Sequence, residues 1–194
     1  MNVLFIDNFD AFTYNLVYEF EKRKCEMLIY RNNVDLKIID NVVKTAKPKL
    51  IVIGPGPSTP RNAGNSLEII GRYWQRIPVF GVSLGHQCIV EVFGGRIEKL
   101  FEVMYGKTSM IEHDNGTIFK EVEMPLKVAR YHALAAADVP YALEISARSE
   151  KGIVMGVRHK EALVEGIQFN PESVLTPAGG KIIDNIIELC KKGR

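Results

Sequence analysis

Pro78-Val79-Phe80-Gly81-Val82-Ser83-Leu84-Gly85-His86-Gln87 is the stretch on which the fold turns. Residues 78–82 form an apolar run that reads as a buried strand. It passes without a linker into a helix predicted over Leu84–Phe93. Glycines at 81 and 85 permit the sharp turn between the two, so Ser83 is presented at a helix N-terminus.

Outward from that elbow the same alternation recurs. Val3-Leu4-Phe5-Ile6, Met27-Leu28-Ile29-Tyr30 and Leu50-Ile51-Val52-Ile53 read as further buried strands. Asp10 is placed to cap a helix whose buried face carries Phe12, Leu16, Val17 and Phe20, and Asn65-Ser66-Leu67-Glu68 resembles a capping box. Past Gly94-Gly95 the pattern changes to short strands and turns, with Asp114-Asn115-Gly116-Thr117 as a hairpin turn. Thr176-Pro177 is predicted to cap a last helix that turns Ile182, Ile183, Ile186, Ile187 and Cys190 inward. The expected architecture is α/β: one domain over 1–194, its mostly parallel central sheet flanked by helices, with a β-rich second half.

Composition narrows the function classes. Lys+Arg (25) nearly balance Asp+Glu (23), and a net charge of +2 makes no electrostatic case for nucleic acid. The longest basic run, Lys191-Lys192-Gly193-Arg194, reads as cations complementing a helix end. Cys25, Cys88 and Cys190 are widely spaced and form no metal-ligand pattern, so no metal and no disulfide framework is expected. No basic-then-apolar leader precedes Val3 and no apolar run reaches membrane-spanning length, so the expected compartment is the cytoplasm.

Ligands of a parallel α/β sheet sit beyond the C-terminal strand ends, and three features should gather there. The first is the turn Gly54-Pro55-Gly56-Pro57-Ser58-Thr59-Pro60, whose backbone N–H groups suit an oxyanion hole, although an ordinary Pro/Gly turn would read the same. The second is Ser83, with the N–H of Leu84 as a second donor; by spacing alone it fits the G-x-S-x-G elbow of serine hydrolases. The third is Gln168-Phe169-Asn170-Pro171-Glu172-Ser173, where a base at 170 oriented by Glu172 would complete a catalytic set. Residue 170 is asparagine, whose neutral amide accepts no proton at a useful pH. Of the histidines, His86 is expected in the first turn of its helix, His113 in solvent, His132 near a site and His159 at a strand end; Cys88 is expected to be packed.

Together these features resemble the class I glutamine amidotransferase family, whose fold is flavodoxin-like, along essentially the whole chain. Phe5-Ile6-Asp7-Asn8-Phe9-Asp10-Ala11-Phe12-Thr13-Tyr14-Asn15-Leu16, Arg130-Tyr131-His132-Ala133-Leu134 and Met155-Gly156-Val157-Arg158-His159 are similar to the small subunits of anthranilate and aminodeoxychorismate synthases. The resemblance implies glutamine as substrate, a larger chorismate-binding synthase as partner, and no cofactor. It implies oxyanion donors from Gly56 and Leu84, and substrate contacts from Pro57, Ser58, Gln87, Ala133 and Leu134. It assigns Ser83 to the nucleophile position, Asn170 to the base position and Glu172 to the orienting carboxylate.

Four departures stand out. The family has cysteine at the position of Ser83, histidine at that of Asn170, glycine at that of Ser58 and, in this subfamily, histidine at that of Tyr105. A hydroxyl needs a base in the transition state, so the chain is expected to have negligible glutaminase activity while retaining a pocket that binds glutamine. A docking subunit for an ammonia-using synthase and a serine hydrolase relying on His159 are the competing readings.

Overall fold

The computed structural model describes residues 1–192, apart from the side chains of 101–104; Gly193 and Arg194, which end the basic run, lie outside the described residues. Among the described residues nine strands occur in chain order: β1 (Asn2–Asp7), β2 (Glu26–Arg31), β3 (Leu50–Ile53), β4 (Val79–Val82), β5 (Arg96–His113), β6 (Leu126–Asp138), β7 (Leu143–Ser149), β8 (Val154–His159) and β9 (Val164–Ile167). The helices are α1 (Thr13–Glu21), α2 (Leu36–Ala46), α3 (Ser66–Tyr73), α4 (Leu84–Val92) and α5 (Gly179–Lys192). All strands join one sheet in the order β2-β1-β3-β4-β9-β8-β7-β5-β6. The run from β2 to β9 is parallel, and β8, β7, β5 and β6 continue it with antiparallel pairings. The expected mix of a parallel first half and a β-rich second half is therefore present within one sheet.

The parallel strands read as unbroken apolar runs because both of their faces are covered. Val3 and Phe5 pack with Leu16, Phe20, Ile182 and Ile186 under α1 and α5. Leu4 and Ile6, pointing the other way, pack with Ile39, Ile69 and Ile89 under α2, α3 and α4. Helix α2 has no counterpart in the sequence reading. It is amphipathic, burying Ile39 and Val42, and Asp35 caps it by accepting from the Lys37 N–H at 2.9 Å.

Several local expectations are corrected. Phe12 is 53% exposed rather than buried, because α1 begins only at Thr13 and Asp10 uses its carboxylate to hold the Phe12 N–H in the preceding turn. No capping box forms at Asn65, whose side chain instead donates to the Val34 carbonyl. Asp114–Thr117 is no tight hairpin: a longer connection with a 3-10 turn at Thr117–Phe119 joins β5 to β6. His113 is buried there, stacked on Phe119 with ring centroids 4.8 Å apart. Thr176 does not cap α5 with its side chain, which serves the Asn170 loop. Cys190 is only partly buried, unlike the four isoleucines of the same helix face.

Candidate active site

The turn between β4 and α4 holds Ser83 at φ 55° and ψ −105°, a conformation that costs a non-glycine residue about 1–3 kcal/mol and persists only where the surroundings impose it. They do so here from three sides. The Ser83 N–H donates to the Ile167 carbonyl of β9 at 2.8 Å, and the Ser83 carbonyl accepts from the Gln87 N–H at 3.1 Å. A Cβ at Gly85 would lie 2.1 Å from the Ile53 carbonyl oxygen, so only glycine lets α4 start against the end of β3. The Ser83 side chain makes no capping bond to α4.

The loop after β3 meets this elbow directly. A Cβ on Gly56 would come within 2.5 Å of Asn8 and 3.1 Å of the Leu84 side chain. Asn8 pins the loop, donating from Nδ2 to the Gly54 carbonyl at 2.8 Å, while its Oδ1 accepts from Asn32 Nδ2 and Ser66 Oγ, each at 2.8 Å. Pro57 and Ser58 are exposed at the tip; Ser58 has φ +75° and accepts from Asn62 Nδ2 at 3.2 Å. Leu84 opens α4, so its N–H belongs to the first turn, whose donors have no partner within the helix.

Across from the loop, Leu134 of β6 is held through its carbonyl by two donors. Gln87 Nε2 reaches it at 3.3 Å and also Gln168 Oε1 at 3.0 Å. His132 Nδ1 lies 2.7 Å from the same carbonyl, and its Nε2 accepts from Arg130 Nε at 2.9 Å. The ring is therefore a neutral Nδ1–H tautomer. Burial holds its pKa down to about 4, assisted by the Arg130 charge. Ala133 sits where the β5–β6 register shifts between Lys99 and the next pairing. His132 is thus brought beside the candidate pocket, as a brace for its wall.

Asn170 follows β9, adjacent to the elbow because β9 pairs with β4 (Val82↔Ile167). Its backbone is clamped: the N–H donates to the Ala129 carbonyl at 3.3 Å, and the carbonyl accepts from Thr176 Oγ1 at 2.8 Å. Thr176 Oγ1 in turn accepts from the Ala129 N–H at 3.0 Å. Asn170 Nδ2 donates to Glu172 Oε1 at 2.6 Å. Burial pushes Glu172 up to about 7, against the lowering effect of that hydrogen bond. No hydrogen bond joins Ser83 to Asn170 among the described residues. A cavity of about 170 Å³ opens beside Asn170, bounded also by Phe12, Asn15, Tyr131, Glu172 and Val174; Ser83 is not among its lining residues.

The remaining histidines play no part in this cluster. His86 is fully buried in the first turn of α4, and desolvation holds it down to about 3. Arg158 pairs with Glu165 near the start of β9, so His159 lies at the end of the strands opposite Ser83. There its ring packs on Trp74 and Phe93, and Nδ1 accepts the N–H groups of Glu161 and Ala162. Cys88 is fully buried, as expected. Two larger depressions, about 530 and 630 Å³, lie away from the elbow, the first against Pro78 and Leu163 at the N-terminal strand ends. Among the described residues no group of three or more histidine, cysteine or acidic side chains could hold a metal ion, and no helix is long and apolar enough to cross a membrane.

The parts that Asn8, Gln168 and Thr176 play at the site are absent from the sequence reading. Asn8 carried a usable signal, since a short amide side chain closing a buried strand beside a Gly-rich turn has backbone groups to satisfy. Gln168 and Thr176 carried none, because their partners are remote in sequence.

Comparison with known proteins agrees with this geometry. The family model "Glutamine amidotransferase class-I" matches residues 4–189. A multifunctional tryptophan biosynthesis protein of Pichia angusta is 44% identical over 191 residues, which cover 97% of this chain and 51% of that protein, so the chain spans about half of that relative. Anthranilate synthase component 2 of Haemophilus influenzae is 41% identical over 96% of both chains. An aminodeoxychorismate/anthranilate synthase component 2 of Bacillus subtilis is 41% identical over 98% of this chain and 97% of its own length. The crystal structure of a Thermoplasma acidophilum protein described as a GMP synthase subunit shares the fold with a TM-score of 0.87 at 22% identity, covering 99% of this chain and 94% of that one. A family model matched along nearly the whole chain, together with relatives above 40% identity, settles the family: the chain belongs to the class-I glutamine amidotransferases.

Proposed function

We propose that this chain is the amidotransferase-type subunit of a chorismate-using synthase, of the anthranilate synthase component 2 kind, and that it binds glutamine without hydrolysing it. Relatives that carry the component 2 name and align along nearly their whole length support the first half. The observation that carries the absence of hydrolysis is the Asn170–Glu172 hydrogen bond, in which the amide N–H donates to the carboxylate. A histidine there would carry a lone pair for the nucleophile; the amide has none to offer.

Hydrolysis needs an attack on the glutamine carboxamide carbon, transfer of the nucleophile's proton and departure of ammonia. Ser83 sits at the elbow with its backbone strained into place, and on this reading the Gly56 and Leu84 N–H groups would serve an oxyanion. Those parts would still bind the amide. A serine hydroxyl, unlike a thiol, does not ionise near neutral pH, so without a base the attack stalls. Losing such members removes a factor of about 10⁴ to 10⁶ in rate, with non-additive losses. Gln87 contributes by bracing Leu134 and Gln168 through its Nε2, so that the neighbouring Ala133 backbone would be the part that meets substrate.

The role left to the chain is to dock on a larger synthase, in the cytoplasm, and shape its ammonia supply. The Bacillus subtilis relative named for both products keeps the aminodeoxychorismate pathway in view as a second reading. Two measurements on the chain with its co-purified partner test the proposal. Glutamate release from glutamine should be at background while calorimetry detects glutamine binding, and the complex should form anthranilate when given chorismate and ammonium. Glutamate release at a rate matching synthase turnover would sink it, and aminodeoxychorismate as product would move it to the second reading.

A further inference from the structure

The run Gly54-Pro55-Gly56-Pro57 has few donors to offer a ligand. Neither proline carries an N–H, and the Gly54 N–H is used by the Ile6 carbonyl at 3.0 Å. Gly56 supplies the one remaining backbone N–H of the run. It makes no hydrogen bond among the described residues, and the residue is only partly buried. Where that N–H points depends on the peptide groups before it. The bond to Ile6 sets the first of them. Asn8 sets the second, because its Nδ2 donates to the Gly54 carbonyl at 2.8 Å. The ring of Pro55 then fixes φ, which leaves a single torsion before Gly56. Asn8 also limits that torsion by contact, since a Cβ on Gly56 would lie 2.5 Å from both the Asn8 Cβ and its carbonyl oxygen.

The Asn8 side chain is itself held from two further elements. The Gly54 oxygen can only accept, so it decides which end of the amide faces it and leaves Oδ1 for donors. Asn32 Nδ2 and Ser66 Oγ both donate to that oxygen, each at 2.8 Å. Asn32 is anchored through its own backbone: its N–H donates to the Asp7 carbonyl at 2.9 Å, and its carbonyl accepts from the Asn65 N–H at 2.7 Å. Asn8 is 2% exposed, so solvent does not compete for these bonds. The ends of β1 and β2 and the start of α3 thus brace one amide, and that amide orients the peptide group leading to Gly56.

We propose that Asn8 is a positioning residue for the Gly56 N–H, holding that donor beside Leu84 of the elbow before any substrate arrives. The inference rests on the proposed function, in which this N–H would meet the charge that develops on the glutamine carboxamide oxygen. A donor aimed in advance need not reorganise as the charge appears, and loss of one such donor costs about 10²–10³ in kcat. Misaligning it through Asn8 should cost less, about 10- to 100-fold.

The test uses Asn8→Asp, which keeps the size and the acceptor for Asn32 and Ser66 but turns an oxygen against the Gly54 carbonyl, with Asn8→Ala beside it. Nitrogen-15 relaxation of the unsubstituted chain should give the Gly56 amide an order parameter of about 0.85, falling below about 0.6 in either variant. In the chain restored by Ser83→Cys and Asn170→His, Asn8→Asp should lower kcat about 10- to 100-fold and move KM for glutamine less than about twofold. Asn185→Ala is the control for stability alone, because that side chain serves the Ile118 and Lys120 carbonyls instead. It should lower the melting temperature and move neither readout. A mobile Gly56 amide in the unsubstituted chain, an unchanged one in a folded Asn8 variant, or an equal kcat loss in Asn185→Ala would overturn the assignment. If neither Asn8 variant folds, the order parameter of the unsubstituted chain decides. A restored chain that releases no glutamate counts against the proposed function alone, and the amide order parameters still decide the role of Asn8.

Discussion

Asn170 Nδ2 donates to Glu172 Oε1 across 2.6 Å, so the carboxylate that would orient a base is engaged by a group that cannot be one. The backbone of Asn170 is clamped by Ala129 and Thr176 independently of its side chain, which keeps the position in place for another residue. Restoring Ser83→Cys and Asn170→His together should therefore raise glutamate release by about 10⁴-fold or more in the synthase complex. Each change alone should restore far less, because nucleophile and base act as a unit. A double variant that folds, binds glutamine and remains silent would show that the defect extends beyond these two side chains.

Ser58 sits at φ +75°, a region that suits glycine and strains a residue with a Cβ. Ser58→Gly should stabilise the protein by about 0.5–1 kcal/mol, the relief of strain exceeding the entropy glycine adds to the unfolded chain. Thermal unfolding checks this. A lower melting temperature would mean that the hydrogen bond from Asn62 to Ser58 Oγ matters more than the backbone strain.

Thr176 Oγ1 bridges the Ala129 N–H and the Asn170 carbonyl in the protein interior. Thr176→Val keeps the shape and leaves both backbone groups without that partner. The expected loss is about 2–4 kcal/mol, or roughly 5–10 °C in melting temperature. Protection of the Asn170 amide against hydrogen exchange should fall with it; unchanged protection would refute the clamp.

Glu165 is fully buried on β9, and burial pushes its pKa up to about 8 despite Arg158 at 3.2 Å. In the unfolded chain it titrates near 4.5, so the folded state holds the extra proton between those values and stability falls as pH rises through that window. Glu172, raised to about 7, adds to the same slope. Buried His132 acts oppositely: depressed from 6.5 to about 4, it leaves stability complete above 6.5 and removes it as pH falls toward 4. Denaturant unfolding between pH 6.5 and 8 therefore isolates the carboxylates. Stability should decline by about 1–2 kcal/mol per pH unit there, and Glu165→Gln should flatten the decline. An unchanged slope in that variant would mean that Glu165 folds already ionised against Arg158.

Much of the fold could be read from local pattern. Strands β1, β3 and β4 stand out as apolar runs because each is buried on both faces, and the elbow follows from two glycines around Ser83. What local pattern misjudged were side chains with two available uses. Asp10, Asn65 and Thr176 look like helix caps, yet their oxygens and amides serve a turn, a neighbouring loop and a remote strand. Phe12 fits the apolar face of a helix that begins one residue after it, and His113 next to a polar turn gives no sign of the Phe119 ring that buries it.

The same division holds at the site. Ser83, Asn170 and Glu172 could be singled out from the sequence, and the absence of a proton-accepting ring at 170 follows from the residue type alone. Sequence by itself determined which atoms the site contains, since acidity and proton affinity belong to the residue type. The tertiary structure decided where those atoms point: that Asn170 commits its N–H₂ to Glu172, and that Gln87 and His132 both hold Leu134. Those relationships draw on α4, β6 and the segment after β9, distant along the chain, and only strand pairing and close packing bring Gln87 within hydrogen-bonding range of Leu134 and Gln168.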